Sequence, residues 1–256
     1  MQDFSFHLRI KWEGGGYAGN LNGLNANGIM LLLVNRRNHM DRSIENYWEA
    51  RLGHLKEELE VNNFDVYFAA DGAEAKKIVQ EEIVPKTGAK RISWGGSKTA
   101  TDIGLIQALK EDTNLEFLDP FEKEIPLDDS LERRRQAFLV DLFITGTNAL
   151  TETGLLVNLD RTGNRVAAIT FGPKAVVILV GRNKIVSDLD EAFLRVKDYA
   201  APLVAMRIKA KTPCVKTSFC EDCKSPERVC SAWGIVEKSY PKGRIKVVLI
   251  NQSLGF

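Results

Sequence analysis

Residues 139–145 read LVDLFIT, an apolar run that is strongly typical of a buried β-strand. The small polar stretch TGTNALTETG (residues 145–154) continues directly from it. In open α/β sheets, ligands bind beyond the carboxyl ends of the strands. The two segments together therefore predict a buried strand that delivers polar residues to one edge of a sheet.

Strands and helices alternate along most of the chain on either side of this stretch. Apolar residues at helical spacing predict an amphipathic helix from Ile44 to about Val61. Further helices are predicted at Gly72–Glu82, Thr99–Leu109, Leu131–Ala137 and Leu189–Ala201. Further strands are predicted at Asp65–Ala69, Arg91–Trp94, Leu115–Leu118 and Ile245–Ile250. This alternation predicts an α/β fold class, with three layers around a mixed, mostly parallel sheet.

The region that follows LVDLFIT adds a local exception to the parallel pattern. Short Gly-bearing turns separate three successive segments that are predicted as strands, namely Leu155–Leu159, Arg165–Thr170 and Ala175–Val180. Adjacent strands joined by short turns pair antiparallel, so we expect local antiparallel pairs within the same sheet.

Composition argues against several functional classes. The 256 residues carry 35 Lys and Arg against 34 Asp and Glu, a net charge of +1, which is too little to hold a nucleic acid by counterion release. Histidine occurs only at His7, His39 and His54, which argues against a Ser-His-Asp triad or a histidine-rich metal site in the main domain. The longest apolar run, Ile29–Val34, is far shorter than the roughly 20 residues of a membrane-spanning helix.

Residues 1–39 differ from the rest of the chain. They are rich in Gly and Asn, and apolar and polar residues alternate over residues 4–12 as in a strand. Gly14, Gly16 and Gly19 satisfy G-x-G-x-x-G, but neither an amphipathic helix nor a nearby acidic residue follows, as a dinucleotide-binding fold requires. We interpret this segment as an atypical extension that is disordered or non-native.

The boundary of the main domain is placed at Met40. A helical pattern begins directly after this residue, with Asp41 and Ser43 as candidate caps, so we expect translation to start there. Residues 40–256 then form one domain that includes a cysteine-bearing loop at residues 212–230. Since no cleavable signal peptide precedes this domain, we expect a reducing, cytoplasmic location.

The first candidate site follows the predicted strand Arg91–Trp94 and opens a helix. It consists of Gly95, Gly96, Ser97, Lys98 and Thr99. Glycines allow the backbone to approach an anion, and lysine and hydroxyl groups add donors, so this segment predicts a small-anion site. The alternative is a turn whose glycines relieve strain and whose Ser97 only caps the helix.

The second candidate site is the polar stretch after LVDLFIT and the segment that follows it. Glu152 lies between hydroxyl residues and is the candidate catalytic group, as nucleophile or general base. The candidate ligand-binding residues here are Thr145, Gly146, Thr147, Asn148, Gly154, Asn164 and Arg165. The alternative is a solvated turn in which Glu152 pairs with Arg165.

The third candidate site contains every cysteine of the chain. These residues are Cys214, Cys220, Cys223 and Cys230. Four thiolates in one short segment predict a metal site, either a zinc ion or an iron–sulfur cluster. The spacing C-x5-C-x2-C-x6-C does not decide between them. The alternative is a set of reduced thiols or a disulfide-paired loop.

Three segments carry a resemblance to a known family. They are SWGGSKTATDIGL (93–105), DLFITGTNALTETGLLVNLDRTGNRVAAITFGPKAVVILVGRNKIV (141–186) and TPCVKTSFCEDCKSPERVC (212–230). In combination they resemble the LUD (lactate utilization) family, especially its single-domain members with a four-cysteine loop. The resemblance covers most of the chain after Met40 and implies a fold like that of the NagB/RpiA/CoA-transferase group.

The resemblance also implies a functional context. LUD proteins belong to lactate-oxidising systems whose companion subunits carry iron–sulfur clusters, so other lactate-oxidation components are expected partners. Glu152-Thr153-Gly154 has the Glu-x-Gly form around the nucleophile of family I CoA-transferases.

Two functions follow as expectations. In the first, the protein is an accessory or electron-transfer component of lactate utilization, with an iron–sulfur cluster in the cysteine loop. In the second, it is a transferase- or isomerase-type enzyme that uses Glu152, with a structural zinc in that loop. The helix from Ile44 to Leu59 is a candidate homodimer face.

Overall fold

The computed structural model describes the backbone of residues 26–256 and the side chains of residues 42–256. The chain divides into two units, residues 1–44 and 45–256. Helix α1 runs from Ala26 to Val61, so the predicted helix start directly after Met40 is wrong: Asp41 and Ser43 lie inside the helix and do not cap it. The strand predicted at residues 4–12 lies outside the described residues, and the interpretation of residues 1–39 as an extension stays a prediction.

Ten strands lie in the described part of the chain. They are β1 (Asp65–Ala69), β2 (Arg91–Trp94), β3 (Glu116–Leu118), β4 (Leu142–Gly146), β5 (Ala149–Thr151), β6 (Leu156–Asp160), β7 (Ala175–Gly181), β8 (Ile185–Val186), β9 (Ala232–Val236) and β10 (Ile245–Ile250).

After α1, nine further α-helices are described. They are α2 (Gly72–Lys77), α3 (Val84–Thr87), α4 (Lys98–Asp102), α5 (Leu105–Glu111), α6 (Leu127–Gln136), α7 (Asn164–Thr170), α8 (Leu189–Arg195), α9 (Ala201–Arg207) and α10 (Cys214–Thr217). The π-helical segments Ile78–Ile83 and Val196–Ala200 join α2 to α3 and α8 to α9. The short 3-10 segments are Ala137–Leu139 and Arg182–Lys184.

Two sheets form the centre of the fold. Six strands pair in the order β1-β10-β7-β4-β2-β3, and every pair is parallel. A smaller sheet has the order β8-β5-β6-β9, with antiparallel pairs β5–β6 and β6–β9. The predicted α/β class with a mostly parallel sheet is confirmed, whereas the antiparallel pairs lie in a second sheet and not in the main one.

The segment Arg165–Thr170, predicted as a strand, is helix α7. Gly163 precedes the helix in a left-handed conformation with φ of 77°, which glycine adopts without strain. A carboxylate oxygen of Asp160 accepts the backbone N–H of Val166 at 2.8 Å and so satisfies a free donor of the first turn. These two residues outweigh the β-branched composition of the segment.

The core lies on both faces of the six-stranded sheet. On one face, Leu52, Leu55 and Leu59 of α1 are buried against strand residues of both sheets and against α7. On the other face, α2 and α5 cover alternate strand residues, with Leu105 and Leu109 buried. Each buried leucine contributes roughly 2 kcal/mol of hydrophobic stabilisation. The three predicted layers are therefore present in residues 45–256.

Parallel pairing aligns the carboxyl ends of the central strands. β2 ends at Trp94, β4 at Gly146 and β7 at Gly181, and the segments that follow them meet at one edge of the sheet. The described helices include none long and apolar enough to cross a membrane.

Candidate functional site

A cavity of about 170 Å³ opens at this edge, and we call it the strand-end cavity. Its lining comes from the ends of β4 and β6, from the segments that follow β2, β4, β6 and β7, from α7 and α9, and from Val229 and the last residue of the chain, Phe256. The lining residues are Gly95, Gly96, Ser97, Lys98, Gly146, Thr147, Asn148, Leu159, Asp160, Arg161, Arg165, Lys184, Val204, Arg207, Ile208, Val229 and Phe256.

The glycines of the first candidate site allow two strand ends to pack closely. A Cβ atom on Gly95 would lie 2.8 Å from Oγ1 of Thr145, and one on Gly146 would lie 2.9 Å from Oγ of Ser97. Ser97 also caps α4, since its Oγ accepts the backbone N–H of Ala100 at 3.2 Å. The segment thus lines the cavity, and its serine acts as a helix cap as the alternative interpretation predicted.

Arg165 holds the walls of the strand-end cavity together. Its Nε donates to Asp160 at 2.9 Å, its Nη1 to the carbonyl of Gly146 at 3.1 Å, and its Nη2 to Oδ1 of Asn148 at 2.5 Å and the carbonyl of Leu159 at 3.2 Å. The side chains of Arg165 and Asp160 are only 13% and 8% exposed. Because each of its three guanidinium nitrogens donates a hydrogen bond, Arg165 fixes the ends of β4 and β6 relative to α7.

Lys184 is the most buried cation of the cavity. It lies in the 3-10 segment after β7, is 4% exposed, and donates from Nζ to Oγ1 of Thr99 at 3.0 Å. Burial, together with the positive charges of Arg195 and Arg165, lowers the pKa of Lys184 to about 7. Its ammonium form is therefore unusually costly in this position.

The other charged groups leave the cavity electropositive. Lys98 pairs with Asp102, and Asp160 pairs with Arg165. Within the described residues, no ion pair involves Lys184, Arg161 or Arg207. The guanidinium of Arg207 lies 5.5 Å from the ring centre of Phe256, and burial lowers its pKa.

Several predicted site residues do not line the cavity. Thr99 lies beneath it as the partner of Lys184, and Thr145 is fully buried in β4. Gly154 lies against Glu58 of α1 and against Asn62, which directly follows that helix, and Asn164 accepts a hydrogen bond from Thr162 at 2.6 Å.

Glu152 also lies elsewhere. Its carboxylate forms an ion pair with Arg51 of α1, so the alternative pairing with Arg165 is wrong. Its backbone N–H donates to the carbonyl of Val186 at 2.9 Å, which places it beside β8. Glu152 does not line the strand-end cavity, and its catalytic role stays a prediction.

The four cysteines surround a second, smaller space of about 20 Å³, which we call the cysteine cavity. Cys214, Cys220, Cys223 and Cys230 all line it, and all four thiols are free of disulfides. Side chains from α9 and the preceding π-helical segment complete the lining. Over the part of the chain that the structure describes, no three His, Cys, Asp or Glu side chains are placed to hold a metal ion together.

Cations lie next to these thiols. Arg228 lines the cysteine cavity, and its hydrogen bond to the side chain of Cys230 raises the pKa of the guanidinium. Lys197 lines the same cavity and pairs with Asp222. The thiol of Cys214 lies 3.2 Å from Oγ1 of Thr212.

The two cavities are neighbours. Val229 lines both of them, and helix α9 contributes Ala201 and Pro202 to the cysteine cavity and Val204 and Arg207 to the strand-end cavity. Helix α9 and the buried Val229 therefore separate the thiols of the cysteine cavity from the strand-end cavity.

A family model described as the LUD domain matches residues 52–250. The chain belongs to the LUD domain family. The match includes every residue that lines either cavity except Phe256, so both cavities are features of the LUD domain. Membership associates the protein with lactate utilization. None of the curated proteins matches this LUD chain.

Solved structures give two further likenesses for the LUD chain. A DUF162 family protein from Deinococcus radiodurans is 16% identical, with a TM-score of 0.31, and the alignment covers 69% of this chain and 98% of that one. Ribose 5-phosphate isomerase from Plasmodium falciparum is 17% identical, with a TM-score of 0.29, and the alignment covers 45% of this chain and 54% of that one.

Two cationic residues of the strand-end cavity were missed in the sequence. Lys184 and Arg207 belong to none of the three candidate segments, and they reach the cavity from the 3-10 segment after β7 and from α9. Asp160 is the last residue of β6 and Arg161 directly follows it, and this position at a strand end was the available signal.

Proposed function

We propose that this LUD-domain protein is an accessory or electron-transfer component of lactate utilization, in which Cys214, Cys220, Cys223 and Cys230 hold an iron–sulfur cluster. Family membership supports the association with lactate utilization. The observation that carries the cluster is that all four free thiols line one cavity.

The chemistry of the donor set fits an iron–sulfur cluster. Such clusters are held by cysteine thiolates, commonly four of them. The cations Lys197 and Arg228 lie where they offset the negative charge of a thiolate-bound centre. The described side chains are not placed to hold a metal together, so binding of a cluster would have to draw the four thiols into a common ligand set.

The residues around the thiols have separate roles in this proposal. The cysteines bind the cluster, which supplies one-electron transfer when it is present. Arg228 and Lys197 balance charge, and Val229 with α9 separates the centre from the strand-end cavity.

Anaerobic purification of the full chain tests the proposal. We expect coloured protein with iron and acid-labile sulfide in cluster stoichiometry. Cys223→Ser should lose the cluster, because it removes one of the four thiolates, whereas the matched control Ser231→Ala changes a hydroxyl next to Cys230 and should retain it. Colourless protein with one bound zinc, or iron content unaffected by Cys223→Ser, would overturn the cluster assignment.

The alternative function is a transferase- or isomerase-type enzyme with a structural zinc. It depends on Glu152, which pairs with Arg51 and does not line the strand-end cavity. No contact among the described residues favours it over the first proposal.

A further inference from the structure

The strand-end cavity has a charged floor and an apolar wall. Lys184 and Ser97 line it near the strand ends, while Val204, Ile208 and Phe256 present hydrocarbon on the side of α9 and the carboxyl terminus. An inorganic ion would use only the polar part of this lining. A molecule with an anionic group and a short carbon skeleton would use both parts.

The buried ammonium of Lys184 determines that the charged part of the cavity favours an anionic ligand. Burying a charge is unfavourable unless an opposite charge or several hydrogen bonds compensate it. Lys184 is 4% exposed, and in the described structure it has one hydroxyl partner, Thr99, and no carboxylate partner. An anion placed in the cavity would supply the missing compensation.

We propose that the strand-end cavity binds a small organic anion, whose anionic oxygens contact Lys184 and whose carbon skeleton contacts the apolar wall. This assignment does not depend on a cluster in the cysteine cavity. The class includes both small carboxylates and small phosphate esters, because either group accepts hydrogen bonds from an ammonium and a guanidinium.

The size of the cavity limits the ligand. Pockets for drug-sized ligands and cofactors typically measure about 300–1,000 Å³. The strand-end cavity measures about 170 Å³. It therefore encloses a molecule of a few carbon atoms and does not enclose a nucleotide.

Binding should be linked to protonation of Lys184. The charged groups that face this residue are Arg165 of α7, Arg195 of α8 and Asp102 of α4, and Lys98 and Arg207 line the same cavity. Burial and the two arginines lower the pKa of Lys184 to about 7, so only part of the protein carries the ammonium at neutral pH. An anion favours the ammonium form and should bind about tenfold more tightly at pH 6 than at pH 8.

Calorimetric titration of the full chain tests the assignment. The probes are L-lactate and pyruvate as carboxylates, glycerol 3-phosphate as a phosphate ester, and sulfate as a bare oxyanion, all at constant ionic strength. We expect at least one organic probe to bind more tightly than sulfate, and the preferred probe identifies the anionic group. The pH comparison uses lactate and pyruvate, because the charge of a carboxylate is constant between pH 6 and 8.

Variants locate the binding atoms. Lys184→Met should weaken binding of the organic probe at pH 6 at least tenfold and remove its pH dependence. The matched control Lys238→Met removes the same charge from an exposed position and should leave both unchanged. Arg207→Met keeps Lys184 and should also weaken binding, which serves as the test if Lys184→Met fails to fold.

Three results would overturn the proposal. They are the absence of binding for every organic probe, sulfate binding as tight as that of the best organic probe, and unchanged affinity in both Lys184→Met and Arg207→Met. Iron content, measured on the same preparations, reports separately on the proposed cluster.

Discussion

The strand-end cavity and the cysteine cavity differ in what holds their walls. The strand-end cavity lies where three parallel strands end, and Arg165 links its walls through hydrogen bonds to Asp160, Gly146 and Asn148. The cysteine cavity is lined mainly by residues 212–230, whose only regular element is the single turn α10. A sheet can fix a binding site in advance, whereas the loop depends on what binds to it.

The two cavities also differ in the environment that each provides for charged side chains. The sheet forces Lys184 into a buried position where its ammonium form is costly. In the cysteine cavity, Arg228 is close to Cys230 and can balance the charge of a bound centre. We therefore expect the first cavity to be complete without a ligand and the second to be organised by metal binding.

Breaking the arginine network should cause the largest loss of stability. Arg165→Met leaves the carboxylate of Asp160 buried without its ion-pair partner, since that side chain is 8% exposed. Removing one partner of a buried pair costs about 3–5 kcal/mol. We expect the free energy of unfolding, measured by urea denaturation, to fall by this amount.

Arg161→Met is the matched control, because it removes the neighbouring exposed cation. It should change the free energy of unfolding by about 0.5 kcal/mol or less. None of the hydrogen bonds of Arg165 reaches a cysteine, so folded Arg165→Met protein should retain the metal content of the wild type. Equal losses in the two variants would show that the network does not hold the strand-end cavity.

Replacing Lys184 should give a pH-dependent gain in stability. Its pKa is about 7 in the folded protein and about 10.5 when exposed in the unfolded chain. Between these values the unfolded state binds more protons, so wild-type stability rises with pH over this window. Lys184→Met removes this contribution and should be more stable than the wild type below pH 7, by about 1.4 kcal/mol for each unit of pKa depression.

Urea denaturation of both proteins from pH 6 to pH 10 measures this difference. The stabilising effect of Lys184→Met should be constant below pH 7 and should decline toward pH 10. Lys238→Met, at an exposed position, should show no such dependence. A difference between Lys184→Met and wild type that does not change with pH would show that the ammonium is not penalised by burial.

Much of the fold could be predicted because its strands are apolar runs between clear breaks. The bounds predicted for Arg91–Trp94 and Ile245–Ile250 agree with β2 and β10. The strand predicted at 139–145 begins instead at Leu142, because Leu139 is exposed in a 3-10 segment. The local sequence predicts an apolar segment, but it does not predict the residue at which the strand begins.

The candidate site could be predicted only where its residues follow a strand directly. Gly95 and Gly146 lie at such positions, and both line the strand-end cavity. Lys184 follows Arg182 and Asn183, a polar run that is typical of a solvated turn, and its burial results from packing against distant segments. Arg207 reaches the cavity from α9. Nothing local in the sequence marks either residue.

The smallest effect is expected for Glu152→Gln, which tests whether a third region matters beside the two cavities. Glu152 is 43% exposed and pairs with Arg51 on the surface of α1. Exposed ion pairs contribute about 1 kcal/mol or less. We expect this variant to lose no more stability than the matched control Glu116→Gln, which breaks the exposed pair with Arg91.

The affinity of Glu152→Gln for the organic anion should be unchanged, since Glu152 does not line the strand-end cavity. A large loss of affinity in Glu152→Gln alone would link its carboxylate to the ligand, and the transferase alternative would then displace the electron-transfer proposal.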